Sequence, residues 1–252
     1  MKNFSIALAV YNEEENLERC LTSVVGLADE VIVVDGGSTD RTAEIAREFN
    51  AKVIKTDNPP IFHINKQKAI SACTGEWILQ LDADEVVSGE LHKEIAHIIS
   101  SNSEFAGYFI ARRNYFLGHW LRKGGQYPDY VIRLLRRGKG RFPCKSVHEQ
   151  IIIEGPIGQL RTPLLHYSYR TLAEYWKKAD AYTTLTAQEM MKSKVPKNIV
   201  SWVRYEWIKP TITFLSLFLR HKGFMDGIYG LLFAVFSALH HPIAYNKFLR
   251  LK

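Results

Sequence analysis

Val31-Ile32-Val33-Val34-Asp35-Gly36-Gly37-Ser38-Thr39-Asp40 reads as a β-branched strand broken by two glycines. A helical pattern follows from about Asp40 to Phe49. Working outward, the same alternation recurs on both sides. Ser5–Val10 is an apolar strand followed by a helix with Leu17, Leu21, Val24 and Val25 on one face. Asn12 is placed to cap that helix, with Glu15 three residues later completing a capping-box-like pair. Downstream come a short strand at Lys52–Ile54, a helix from Asn65 to Cys73 stopped by Gly75, and a strand at Trp77–Leu81. Ser88 is placed to cap the next helix, whose apolar face is Leu91, Ile95, Ile98 and Ile99. Repeated strand–helix units predict an α/β fold, a parallel sheet covered by helices.

Ligands of such sheets bind at the carboxyl ends of the strands. Three polar clusters fall there: Tyr11-Asn12-Glu13, Asp35-Gly36-Gly37-Ser38 and Asp82-Ala83-Asp84-Glu85. Their convergence on one rim is the main argument for a site. Asp82 and Asp84 flank one small residue, so their carboxylates can converge on a hard cation, Mg²⁺ or Mn²⁺. The alternative is a solvated turn leading into the helix at Ser88. Asp35 can accept hydrogen bonds from a base or ribose, and Asp40 can cap the following helix. The G-x-G-x-x-G dinucleotide fingerprint is absent. Lys66 and Lys68 can meet phosphate or simply face solvent.

Beyond residue 106 the pattern changes. Gly107–Arg112, Tyr130–Leu135 and Val147–Ile153 read as strands between Gly- and Pro-containing loops, and the chain turns helical from about Thr171 to Lys192. Asp129 is the one acidic residue between positions 105 and 148. On its loop it can act as a general base or pair with Arg133 or Arg136. His148 can complete a metal shell, Glu149 is a second candidate base, and His166 reads as a core residue. The division expected is residues 1–105, 106–169 and 170–252, the last being helical, basic and apolar.

The net charge of +7 hides an asymmetry: −9 over residues 1–111, then +8 over 112–169 and +8 over 170–252. An acidic half suited to a cation adjoins a basic half suited to anionic lipids or a phosphorylated acceptor. No nucleic-acid-binding motif accompanies the basic residues, so no nucleic-acid partner is expected. Three widely spaced cysteines suggest a reducing compartment. The short apolar N-terminal run, closed by Glu13-Glu14-Glu15, does not read as a signal peptide. The expected location is the cytoplasm. The apolar segments Ile212–Leu219 and Gly227–Tyr245 suggest an interfacial helical hairpin.

The runs Ile6–Glu15, Val31–Asp40 and Gly75–Glu85 resemble glycosyltransferase family 2 in order and spacing. The resemblance implies a GT-A-type, Rossmann-like α/β/α sandwich with a mostly parallel central sheet. It also implies an inverting, metal-dependent transfer from a nucleotide-diphosphate sugar. Tyr11, Glu13 and Asp35 would hold the nucleotide, Asp84 the metal, and Asp82 would face the ribose or donor sugar. The usual Glu-Asp base motif is absent, and Asp129 occupies the corresponding place, which implies a single sugar addition. Val147-His148-Glu149-Gln150 followed by His166 resembles the subgroup of lipopolysaccharide inner-core β-1,4-glucosyltransferases. That implies UDP-glucose as donor, a lipopolysaccharide core or other lipid-linked acceptor, and a peripheral place on the inner face of the bacterial cytoplasmic membrane. Competing readings are transfer to a protein acceptor, a nucleotidyltransferase and a non-enzymatic nucleotide-sensing scaffold.

Overall fold

The computed structural model describes residues 3–101, 103–145 and 149–251. Strands and helices alternate first: β1 (Phe4–Val10), α1 (Glu14–Thr22), β2 (Glu30–Asp35), α2 (Thr42–Glu48), β3 (Lys52–Lys55), α3 (His63–Ala72), β4 (Trp77–Leu81), β5 (Glu85–Val86) and α4 (Gly89–Ser100). A run of strands follows: β6 (Gly107–Phe116), β7 (His119–Trp120), β8 (Asp129–Arg136), β9 (Gly140–Arg141), β10 (Ile152–Ile153), β11 (Ile157–Gln159) and β12 (Leu164–Tyr169). Helices close the chain: α5 (Leu172–Lys192), α6 (Ile199–Val203), α7 (Lys209–Leu215) and α8 (Gly227–Arg250). Two compact units result: Met1–Arg112 with Tyr130–His166, and Arg113–Asp129 with Tyr167–Lys252.

The first unit is built on a sheet ordered β3-β2-β1-β4-β8-β6-β12-β5. β3, β2, β1 and β4 are parallel neighbours, whereas β8 joins β4 and β12 joins β5 antiparallel. The central strands are apolar on both faces because helices cover both. Phe4, Ile6 and Leu8 of β1 and Trp77, Leu79 and Leu81 of β4 pack with Leu17, Ile45, Leu91 and Ile95. Their alternates Ala7 and Ile78 face the opposite layer with Ala69 and Ile70 of α3. The expected α/β sandwich is therefore present, with both layers seated on β1 and β4.

Helix caps divide into two kinds. Ser88 caps α4 as its sequence suggests, its hydroxyl accepting from Leu91 N at 3.2 Å. Asn12 does not cap α1. It adopts a left-handed backbone (φ 53°), and its side-chain oxygen instead accepts from Thr39 N at 2.8 Å across the neighbouring loop. Glu13 takes the cap position without a side-chain capping bond, its carboxylate accepting instead from Asn16 Nδ2 at 2.8 Å, and the expected cap by Asn12 does not form. A tertiary partner outcompetes the local one.

In the second unit Thr171 caps α5, accepting from Glu174 N at 3.1 Å. α5 meets α8 through Tyr175 Oη and His240 Nε2 at 3.0 Å and through Lys247 Nζ on Asp180 at 2.7 Å. Thr213 reaches His241 at 2.8 Å and Glu206 accepts from Asn246 at 2.8 Å, so α7 and α8 run as an antiparallel hairpin. Gly230 is required at its turn, since a Cβ there would lie 1.9 Å from the carbonyl oxygen of Gly223. The stretch Gly223–Arg250 is long and apolar enough to cross a membrane by length and composition.

Candidate functional site

Parallel pairing puts the three polar clusters side by side. Val10 pairs with Asp35 and Leu8 with Leu81, so the chain leaves β1, β2 and β4 along one rim. The first two exits are bound to one another by side chains. Ser38 Oγ accepts from Asn12 N at 2.9 Å, Thr42 Oγ1 from Glu13 N at 2.7 Å, and Asp40 Oδ2 from Glu14 N at 3.2 Å. Asp40 also accepts from Thr42 N at 3.0 Å just ahead of α2, although the cap position itself falls to Arg41, which makes no side-chain capping bond. Burial would raise its carboxyl, and the bonds from Thr42 and Glu14 lower it below the usual range. Asp35 is buried and accepts from Ser38 N at 3.0 Å, while Tyr11 is exposed.

The third exit carries an ion network. Lys66 Nζ lies 2.5 Å from Asp82 Oδ1, and Arg133 Nη2 lies 2.6 Å from Asp82 Oδ2. The same guanidinium donates to Gln80 and to Glu85, at 2.7 Å from Glu85 Oε1. Glu85 is fully buried, and its other oxygen accepts from Asp82 N at 2.9 Å. Burial alone would raise the Asp82 carboxyl. The Arg133 guanidinium and then the Lys66 ammonium overcome it and hold the group well below the usual carboxylate range. Asp82 is therefore an ionised acceptor with both oxygens already tied to cations. Lys68, by contrast, donates to Thr56 Oγ1 at 2.6 Å, just past the end of β3.

Asp84 has a different neighbour. His166 Nε2 stands 3.5 Å from Asp84 Oδ1, brought there because β12 pairs with β5, His166 opposite Glu85. His166, which the sequence presents as a core residue, is thus the histidine beside the acidic loop; His148, the other candidate, lies outside the described residues. Among the described residues, no group of three His, Cys, Asp or Glu side chains has metal-binding spacing. A carboxylate beside an imidazole is nonetheless a donor set for a cation that completes its shell with phosphate oxygens and water. Cys20 Sγ donates to Asp82 O at 3.6 Å behind the loop. Burial first, then Glu85, Asp84 and Asp82, push its thiol up, so it is a packing group and not a thiolate ligand.

The two candidate bases fall in different units. Asp129, the first residue of β8, belongs to the second, where Asn114 Nδ2 donates to its Oδ2 at 3.1 Å. Glu149 belongs to the first, accepting from Lys145 N at 2.7 Å. Arg133 and Arg136, the alternative partners considered for Asp129, are committed to Asp82 and Glu85 and to Glu76 respectively. Arg133 is the residue sequence reasoning undervalued. Its signal was an arginine set between Ile132 and Leu134, in the apolar middle of β8.

Comparison with known proteins gives a consistent result. The model of "Glycosyl transferase family 2" matches residues 5–161. The lipopolysaccharide core biosynthesis glycosyltransferase LpsC of Rhizobium meliloti (strain 1021) is 31% identical over 90% of this chain and 87% of its own. A Rickettsia typhi glycosyltransferase is 29% identical over 100% of this chain and 86% of its own. Among solved structures, S. aureus TarS is similar at a TM-score of 0.49 and 17% identity, over 98% of this chain and 88% of that one.

Proposed function

The chain belongs to glycosyltransferase family 2 and is a glycosyltransferase of GT-A-type fold, and from that premise we propose that it is an inverting, metal-dependent hexosyltransferase. Its donor is a nucleotide-diphosphate sugar, UDP-glucose being the first to test. Its acceptor is a hydroxyl of a lipid-linked glycan. The name carried by LpsC directs that choice to the lipopolysaccharide core. The observation that carries the reading is the single rim formed by the exits of β1, β2 and β4.

Tyr11, Glu13 and Asp35 line the nucleotide end of that rim. Asp82, kept ionised by Arg133 and Lys66, accepts hydrogen bonds from ribose or donor-sugar hydroxyls. Asp84 and His166 are the residues that would hold Mg²⁺ or Mn²⁺, which supplies positive charge to a departing diphosphate when bound. Asp129 takes the proton of the acceptor hydroxyl. The new bond joins that oxygen to the anomeric carbon, the bond to the diphosphate oxygen breaks, and the configuration inverts.

Incubation with a panel of nucleotide sugars and Mn²⁺ tests this directly. Release of nucleoside diphosphate is expected; consumption of a nucleoside triphosphate instead would mark a nucleotidyltransferase. Asp129→Asn is expected to lower turnover by about 10²-fold or more, the range for loss of a general base. Donor affinity measured by calorimetry should stay as in the wild type. An unchanged rate would move the base role to Glu149.

A lipid-linked acceptor requires a place at the membrane. Trp207, Ile212 and Leu219 are 63%, 60% and 53% exposed on the C-terminal helices, with Arg204, Lys209 and Arg220 among them. Apolar groups interleaved with cations suit an anionic bilayer interface. Trp207→Glu with Ile212→Glu should abolish co-flotation with vesicles containing anionic lipid. Flotation of the double variant equal to that of the wild type removes the membrane reading and leaves the transferase reading intact.

A further inference from the structure

The second unit holds a cluster that the transfer chemistry above does not use. β6 and β7 form a hairpin in which Tyr115 pairs with Trp120 and Phe116 with His119. Two guanidinium groups lie over the Trp120 indole, Arg113 at 4.5 Å and Arg122 at 4.9 Å from the ring centroid. Tyr127 packs edge-on against the same ring at 5.3 Å. Among the described residues, none of Arg113, Arg122 and Lys123 has a carboxylate partner. Two acids meet this segment through other groups: Asp226 accepts from Arg122 N at 3.1 Å and Lys123 N at 2.8 Å, and Asp129 accepts from Asn114 Nδ2 at 3.1 Å. That fixes the loop by its main chain, and the side-chain heads of Arg113, Arg122 and Lys123 stay outside any ion pair among the described residues.

Two donors are stranded here as well. Arg113 Nε and Trp120 Nε1 are buried and have no hydrogen-bond partner among the described residues. Buried donors without acceptors are costly, and like charges gathered on one ring repel. Both costs disappear if an anion enters. Arg122, one of the two covers over the indole, is an exposed residue. An indole face with arginines beside it suits a sugar ring carrying an acidic group, the ring on the aromatic surface and the anion in the guanidinium fork.

We propose that Arg113, Trp120, Arg122 and Lys123 form an acceptor subsite for an anionic saccharide, one bearing a phosphate or a carboxylate. Its role as an acceptor subsite rests on the transferase reading; its anion binding rests on the cluster alone. Tyr127 ties it to the segment that ends in Asp129, the proposed base.

Calorimetric titration of the full chain with glucose 6-phosphate, glucuronic acid and glucose tests the subsite. At least one anionic sugar is expected to bind about tenfold or more tighter than glucose, and the tighter of the two identifies the anion. Arg122→Gln, a change at an exposed position that spares the fold, should erase most of that gain, and so should Arg113→Gln. Equal affinity for all three sugars, or a gain that survives both substitutions together, overturns the subsite. In ¹⁵N-tryptophan-labelled protein, the indole N–H signal assigned to Trp120 by Trp120→Phe should move with the anionic sugar and stay with glucose. Titration with UDP-glucose and Mn²⁺ separates the two proposals. Absence of donor binding would count against the proposed UDP-glucose, metal-dependent transfer and leave the anionic-sugar result standing.

Discussion

Asp84→Ala is expected to abolish metal-stimulated transfer, with a loss in kcat of at least about 10²–10³-fold, the range for removing one electrostatic stabiliser of a transition state. The fold should survive. Asp84 sits in the loop between β4 and β5, and the buried ion network is carried by its neighbours Asp82 and Glu85. Removing one of three closely spaced carboxylates also relieves like-charge repulsion. Far-UV circular dichroism and the urea midpoint should therefore match the wild type, while Mn²⁺ affinity measured by electron paramagnetic resonance falls. His166→Ala should weaken Mn²⁺ in the same assay and be partly rescued at high metal concentration, because the carboxylate remains. Full activity of Asp84→Ala would sink the metal assignment, and unchanged Mn²⁺ affinity in His166→Ala would return the histidine to the packing role first given to it.

Arg133→Met should be the most destabilising single change, by about 3–5 kcal/mol, the cost of breaking a buried ion pair from one side. The methionine fills part of the space and leaves fully buried Glu85 without its closest cation. Urea denaturation should show a lower midpoint at unchanged slope. The pH dependence has a definite sign. Burial raises the Asp82 carboxyl, but Arg133 and Lys66 hold it well below its unfolded value. A depressed carboxyl contributes stability that is fully present above the unfolded pKa of about 3.9 and is lost as pH falls through the folded one. The gap between wild type and variant should hold from pH 7 to about pH 4 and narrow below that. A gap that persists unchanged in acid would mean the arginine acts by packing and not by charge.

What could be read in advance follows the range of the forces involved. β1, β2 and β4 announce themselves because each is a short apolar run, and both layers of the core can be counted from their alternation. The rim follows from those strands being parallel, since polar residues after each strand then converge. Asn12 misleads because its local role and its tertiary role use the same side-chain oxygen, and only contact between two loops decides for Thr39. Arg133 and His166 are hidden for a related reason. Each lies on a strand whose neighbour is far away in sequence: β8 beside β4, and β12 beside β5. Local patterning gives no sign of which carboxylate will stand opposite. The subdivision of the basic half is likewise a matter of topology, with 113–129 grouping with the C-terminal helices and 130–166 with the sheet.

The stapling between the first two loops of the rim bears on how such an enzyme diversifies. Main-chain nitrogens of Asn12, Glu13 and Glu14 are held by the side chains of Ser38, Thr42 and Asp40. Backbone geometry at this end of the rim is thus specified by one set of residues, and the groups proposed to meet the nucleotide, Tyr11 and Glu13 among them, belong to another. Under the proposed assignment, mutations in the second set can change which donor is accepted without disturbing the first. Lineages descended from a chain like this one can therefore explore new substrates by drift at a few positions, on a frame that selection for folding keeps constant.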